Sequence, residues 1–113
     1  MAIQISSGST DVSSTVTISE PDINQNFPRV TVAISYYDDA TLDTPSASPV
    51  GDFAVEGITQ GGQSYTAFAN SPIDASESGT FASAASPLKE IRVTPSGVSG
   101  TSYYQVTVTS NRA

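Results

Sequence analysis

Cysteine and histidine are both missing from this sequence. The lack of cysteine excludes disulfide bonds and thiolate metal sites, so the fold must be stabilised by packing or by assembly. The lack of histidine excludes the commonest general base, the serine–histidine–aspartate triads and histidine-ligated metals. A nucleophilic serine would then need a lysine partner, and the single lysine, Lys89, lies beside Glu90 at the start of a predicted strand, a position typical of a solvated surface lysine. We therefore expect that the protein is not an enzyme and holds no cofactor.

Positive charge is also scarce, because four lysine and arginine residues face eleven aspartate and glutamate residues, for a net charge of −7. A surface this acidic repels phosphate backbones, which disfavours nucleic-acid binding. No apolar run approaches the length of a membrane span. The first residues, Met1–Ile5, lack the basic and apolar segments of a secretory signal. The sequence therefore predicts a protein that is made in a cytoplasm and binds neither nucleic acid nor membrane.

Most of the remaining sequence has the pattern of β-strands and turns. A chain of 113 residues is expected to form one domain with a single core. The clearest strand is Arg29–Tyr37, in which Val30, Val32, Ile34 and Tyr36 alternate with polar residues and share one face. Roughly seven or eight short strands, without a convincing helix, predict an all-β fold. The expected architecture is a small antiparallel β-sandwich, immunoglobulin-like or jelly-roll-like, with a compact β-barrel as the alternative.

A second well-patterned stretch, Leu88–Ser110, predicts a β-hairpin. Two alternating runs flank a turn rich in proline, serine and glycine between Pro95 and Gly100. The residues that alternation assigns to the core are Ile91, Val93, Tyr104, Val106 and Val108. We therefore expect this hairpin to be part of the scaffold.

The domain organisation follows from where the patterning is weak. Residues 1–28 contain short alternating runs separated by irregular segments, which predicts either an N-terminal arm or edge strands. Residues 29–113 are expected to form the β-sandwich core. Two long polar loops, Asp38–Pro49 and Asn70–Thr80, interrupt that core, and loops of such length are often functional.

The first of these loops carries the only candidate metal ligands. Asp38, Asp39 and Asp43 lie close together in the sequence, and carboxylate oxygens suit calcium. Their spacing does not match an EF-hand loop, and no bidentate glutamate follows at the expected position. A solvated acidic loop is the simpler interpretation, and a calcium site is the alternative.

Two tyrosine doublets, Tyr36–Tyr37 and Tyr103–Tyr104, suggest a binding surface. Alternation along a strand sends one ring of each doublet inward and the other outward. An outward tyrosine can stack on a sugar or pack in a subunit interface, and tyrosine is enriched at interfaces. The candidate interface residues are the outward rings and the apolar residues of the N-terminal segment: Ile3, Ile5, Phe27, Tyr37 and Tyr103.

The runs Ile91–Val98 and Tyr103–Val108 resemble the last strands of small virion proteins from tailed bacteriophages. More broadly, the whole chain is similar to capsid decoration (cement) proteins, which are short, cysteine-free and all-β. The resemblance implies a homo-oligomer, a trimer or dimer, that binds the major capsid protein and stabilises the outside of the capsid in the virion. It also implies that residues 1–28 would be the capsid-binding arm.

Two other functions remain open from the residues. One is another virion component, such as a tail, connector or head-fibre protein. The other is an immunoglobulin-like or carbohydrate-binding adhesion module, which would use the outward tyrosines and the acidic loop.

Overall fold

A computed structural model describes residues 2–19, 29–59, 64–77, 81–84 and 88–111. Within these ranges the chain forms ten β-strands, and it contains no helix that could cross a membrane. The strands are β1 (Ala2–Ser6), β2 (Thr10–Asp11), β3 (Val16–Ser19), β4 (Arg29–Tyr37), β5 (Val50–Thr59), β6 (Thr66–Ala67), β7 (Ile73–Asp74), β8 (Ala82–Ala84), β9 (Leu88–Ser99) and β10 (Tyr103–Asn111). The fold is therefore all-β, as the alternating sequence predicts.

The strands form two antiparallel sheets that pack face to face as a β-sandwich. Sheet A has the order β1-β10-β4-β8, and β2 also pairs with β10. Sheet B has the order β3-β9-β5-β6, and β7 also pairs with β5. Strand β4, which coincides with the predicted strand Arg29–Tyr37, lies between β10 and β8.

The predicted β-hairpin of Leu88–Ser110 is wrong. Both of its strands form, but β9 belongs to sheet B and β10 to sheet A. The three residues Gly100–Ser102 carry the chain from one sheet to the other. Alternation is the same whether two strands pair side by side or face each other across a core, so the pattern predicts the inward residues and not the partner strand. The predicted inward residues of both strands are confirmed, since all five are fully buried.

Phe53 of β5 lies at the centre of the core. Its ring centroid is 4.9 Å from that of Tyr104 in an edge-on arrangement and 5.3 Å from that of Tyr36. Aromatic pairs at these separations add to the free energy gained from burial. The three rings therefore connect sheet B to sheet A.

The N-terminal residues complete both sheets. Strand β1 is an edge strand of sheet A, and β3 is an edge strand of sheet B. Val16 and Ile18 of β3 are buried and pair with Val93 and Ile91 of β9. The described part of residues 1–28 therefore forms edge strands, one of which supplies core residues.

Candidate functional site

Tyr37 and Tyr103, two of the predicted interface residues, are direct neighbours in sheet A. They are register partners in the β4–β10 pairing, and Tyr36 and Tyr104 form the next pair. Tyr104 is fully buried and Tyr36 packs against the core. Because successive side chains alternate, the half-buried Tyr37 and Tyr103 lie together on the outer surface of the sheet. Register thus assembles one aromatic pair from two distant doublets.

The aromatic pair continues into an outer surface rich in hydroxyl groups. Below it lie the register pairs Ser35–Gln105, Ala33–Thr107 and Thr31–Thr109. On either side, Ser6 Oγ is 3.4 Å from Thr107 Oγ1 and Ser83 pairs with Thr31. We call this surface the hydroxyl–tyrosine face, which consists of Ser6, Thr31, Ala33, Ser35, Tyr37, Ser83, Tyr103, Gln105, Thr107 and Thr109.

None of the residues of the hydroxyl–tyrosine face carries a charge, in a chain whose net charge is −7. Asp11, the register partner of Tyr103 in β2, is a charged residue at its margin. Cross-strand pairs of threonine and serine stabilise a sheet while keeping its surface polar. The face can therefore contact another surface without desolvating or opposing a charge.

The other predicted interface residues are placed differently. Ile3 and Ile5 lie in β1, where Ile5 is the register partner of Val108. Val108 is buried, so Ile5 lies at a register position that belongs to the inner face of the sheet. Phe27 lies outside the described residues. The structure therefore brings together Tyr37 and Tyr103, two of the five predicted interface residues.

The acidic loop is organised by its own hydrogen bonds. Asp39 accepts hydrogen bonds from Thr41 Oγ1 at 2.6 Å and from the backbone N–H groups of Thr44 at 3.0 Å and Asp43 at 3.1 Å. These bonds, that of Thr41 first, lower the pKa of the Asp39 carboxyl below its ordinary value. Asp38 accepts a bond of 2.8 Å from Ser46 Oγ. The Asp39 carboxylate therefore closes the loop on itself.

This arrangement bears on the predicted calcium alternative. No group of three or more potential metal-ligating side chains comes together anywhere in the described ranges. Asp38, Asp39 and Asp43 are not brought together as such a group there, and the calcium alternative stays a prediction.

The whole chain, residues 1–113, matches the model of one family, whose description is a domain of unknown function, DUF7265. The chain belongs to this family. A comparison with curated proteins gives no match. Among solved structures, "CBM32 of AlyQ in complex with 4,5-unsaturated mannuronic acid" is similar with a TM-score of 0.39 and 16% identity, covering 97% of this chain and 78% of that one. A likeness this distant assigns neither a ligand nor a site to the present DUF7265 domain.

The outer surface of sheet B in this DUF7265 domain differs from that of sheet A. Arg92 forms a 2.9 Å ion pair with Glu56, and its guanidinium lies 3.8 Å from the ring centroid of Tyr65. The Tyr65 hydroxyl donates a hydrogen bond to Glu90. These contacts join β5, β9 and the segment before β6, while the buried Arg92 Nε has no hydrogen-bond partner among the described residues. The sequence does not reveal this cluster, because alternation places Arg92 outward and gives no register for Tyr65.

Proposed function

We propose that this protein is a capsid decoration protein of a tailed bacteriophage, and that it binds the major capsid protein through the hydroxyl–tyrosine face. The resemblance of its last strands to phage virion proteins supports the proposal that it is part of a virion. The uncharged tyrosine-bearing face supports the mode of contact and is the single observation that carries this proposal. Interface cores are depleted of charged residues and enriched in tyrosine.

The distribution of charge explains why this face suits a protein lattice. A chain with a net charge of −7 repels an acidic partner over distances of about a Debye length. Contact through the hydroxyl–tyrosine face keeps Glu56 and Glu90 of sheet B away from the junction and leaves Asp11 at its margin. Tyr37 and Tyr103 supply rigid rings with little conformational entropy to lose, as interface anchors do.

A matched pair of charge variants tests the proposal. Ser35 lies on the hydroxyl–tyrosine face and Thr17 on the outer surface of sheet B, and both are exposed strand residues. Ser35→Glu and Thr17→Glu therefore make the same change in net charge on opposite surfaces. We expect Ser35→Glu to weaken binding to empty heads assembled from the major capsid protein by about tenfold or more, because it buries a charge in the contact. Thr17→Glu should bind within about twofold of the natural protein.

Co-sedimentation with the heads, quantified by titration, measures this binding. If the Ser35→Glu variant saturates the heads at the same concentration as the natural protein, another surface makes the contact. If the natural protein itself does not bind, its place in the purified particle decides between a decoration protein and a tail, connector or head-fibre component.

The same tyrosine pair favours a second candidate, a carbohydrate-binding module that stacks a sugar on Tyr37 and Tyr103. Aromatic rings bind sugars through their apolar faces. A glycan array with Tyr37→Ala and Tyr103→Ala separates the candidates, because glycan binding that disappears in both variants would favour the sugar-binding function over capsid contact.

A further inference from the structure

A cleft lies at one end of the sandwich, away from the hydroxyl–tyrosine face. It has a volume of about 510 Å³, within the range of pockets that hold small molecules. Its walls come from the inner side of β4, the segment that leads into β5, and the turn after β7. The lining residues are Ile34, Tyr36, Ser46, Ala47, Ser48, Pro49, Val50, Ala75, Ser76 and Glu77.

The Tyr36 hydroxyl is the distinctive polar group of this cleft. Its oxygen is buried, and it has no hydrogen-bond partner in the described part of the chain. The ring is held in place by Phe53, with 5.3 Å between the centroids. Burial, followed by the negative charge of Asp74, raises the pKa of Tyr36 to about 12. The hydroxyl is therefore neutral, and no described residue uses its donor or its acceptor capacity.

The surroundings of this hydroxyl restrict what can bind there. Asp74 lies close enough to act electrostatically on Tyr36, and Glu77 is part of the lining. Ionised carboxylates accept hydrogen bonds and repel anions. A ligand must therefore be neutral or cationic and must offer donors. Val50, 49% exposed despite its size, and Pro49 provide an apolar wall.

We propose that the cleft binds a neutral polyhydroxylated ligand, such as one sugar residue, with a hydroxyl group on Tyr36 and an apolar face against Pro49 and Val50. A ligand hydroxyl can donate a hydrogen bond to the Tyr36 oxygen or accept one from the Tyr36 hydroxyl group. A protonated amine can only donate one. Other ligand hydroxyls donate to the carboxylate of Glu77 in the lining. The C–H faces of a sugar ring cover the apolar wall.

This site is independent of the proposed capsid contact, because Tyr36 faces inward and Tyr37 outward. Binding to heads and binding in the cleft can therefore succeed or fail separately. Ser35→Glu tests the first, and changes to Tyr36 test the second.

The experiment is a titration of the ¹⁵N-labelled full chain with methyl glycosides of glucose, galactose and mannose, followed by amide chemical shifts. We expect at least one neutral glycoside to shift the amides of Ser46, Ala47, Ser48, Val50 and Ala75–Glu77. Galacturonate, which is anionic, should bind at least about tenfold more weakly because of Asp74 and Glu77. Nα-acetyl-lysine amide tests for a cationic ligand in place of a sugar.

Two variants locate the binding. Tyr36→Phe removes only the unpartnered hydroxyl, so the variant should fold and should bind the glycoside about tenfold more weakly. Tyr65→Phe makes the same chemical change on the outer surface of sheet B, outside both proposed contacts, and should bind as the natural protein does. The inference is overturned if no glycoside shifts these amides, if Tyr36→Phe binds as well as the natural protein, or if the lysine derivative binds and the glycosides do not.

Discussion

The hydroxyl of Tyr104 donates a 2.6 Å hydrogen bond to the backbone carbonyl of Ser14, which lies 90 residues earlier in the chain. Tyr104 is a core residue of β10 in sheet A, and Ser14 lies in the turn between β2 and β3. At this turn the chain passes from sheet A to sheet B. The bond therefore attaches the crossover of the N-terminal strands to the centre of the sandwich.

Tyr104→Phe tests this attachment separately from core packing. The variant keeps the ring that packs edge-on against Phe53 and loses only the hydrogen bond, and Ser14 is exposed, so its carbonyl can bind water instead. We expect the free energy of unfolding to fall by about 1 kcal/mol. Phe53→Ala should lower it by about 3–5 kcal/mol, because a cavity opens between the sheets. Urea unfolding measures both, and a loss for Tyr104→Phe as large as that for Phe53→Ala would contradict the assigned role.

A pair of N-terminal deletions tests whether residues 2–19 belong to the domain. Removing residues 1–18 takes away the buried Val16 and Ile18 and exposes the β9 residues that they cover. We expect this chain not to fold, because the deletion uncovers one side of the core of sheet B. Removing residues 1–6 eliminates β1 alone and should leave a folded protein of lower stability. Circular dichroism and amide shift dispersion report the result, and a folded 19–113 fragment would show that residues 1–18 are separable from the rest of the domain.

The features that follow from side-chain alternation could be predicted from the sequence. Val30 and Val32 on β4 are buried, as are Val106 and Val108 on β10, because a period of two assigns residues to a face without any knowledge of the partner strand. The pairing could not be predicted in the same way. The turn residues near Gly100 suit a hairpin and also suit a link between sheets, and only the packing of the whole core distinguishes the two.

The candidate site, too, could be predicted from the sequence only in part. The inward and outward assignment of each tyrosine doublet is a local property, but the contact between Tyr37 and Tyr103 depends on register between strands about 65 residues apart. The cleft around Tyr36 combines three segments that are distant in sequence. No spacing within any one of them signals the others.

Gly100, in the link between β9 and β10, is expected to be less replaceable than Gly97, near the end of β9. Its φ is +75°, and an added Cβ would lie 2.3 Å from the carbonyl oxygen of Ser48. Gly97 has a similar φ of +62° but no atom within 4 Å of the Cβ position. Gly97→Ala should therefore cost about 1 kcal/mol from backbone strain alone. Gly100→Ala should cost more than this, about 2–4 kcal/mol, because the segment before β5 must also move.

Thermal or urea unfolding of the two glycine variants gives the comparison directly. The difference between them isolates the steric contact with Ser48, since both share the left-handed backbone conformation. Equal losses would show that the Ser48 segment shifts freely, and the cleft that this segment lines would then change shape readily.

The buried tyrosines predict a loss of stability at alkaline pH. Burial raises the pKa of Tyr36 and of Tyr104 to about 12, from an ordinary value of 10.0. Between these values the folded chain holds protons that the unfolded chain releases, so the free energy of unfolding falls as pH rises. The stabilising effect is complete below pH 10 and is lost as pH passes through about 12. Urea midpoints measured from pH 8 to pH 12 should therefore decline above pH 10, together with a rise in tyrosinate absorbance on unfolding. Because phenylalanine does not titrate, the double variant Tyr36→Phe/Tyr104→Phe should show a shallower decline, and an unchanged decline would assign the effect to other groups.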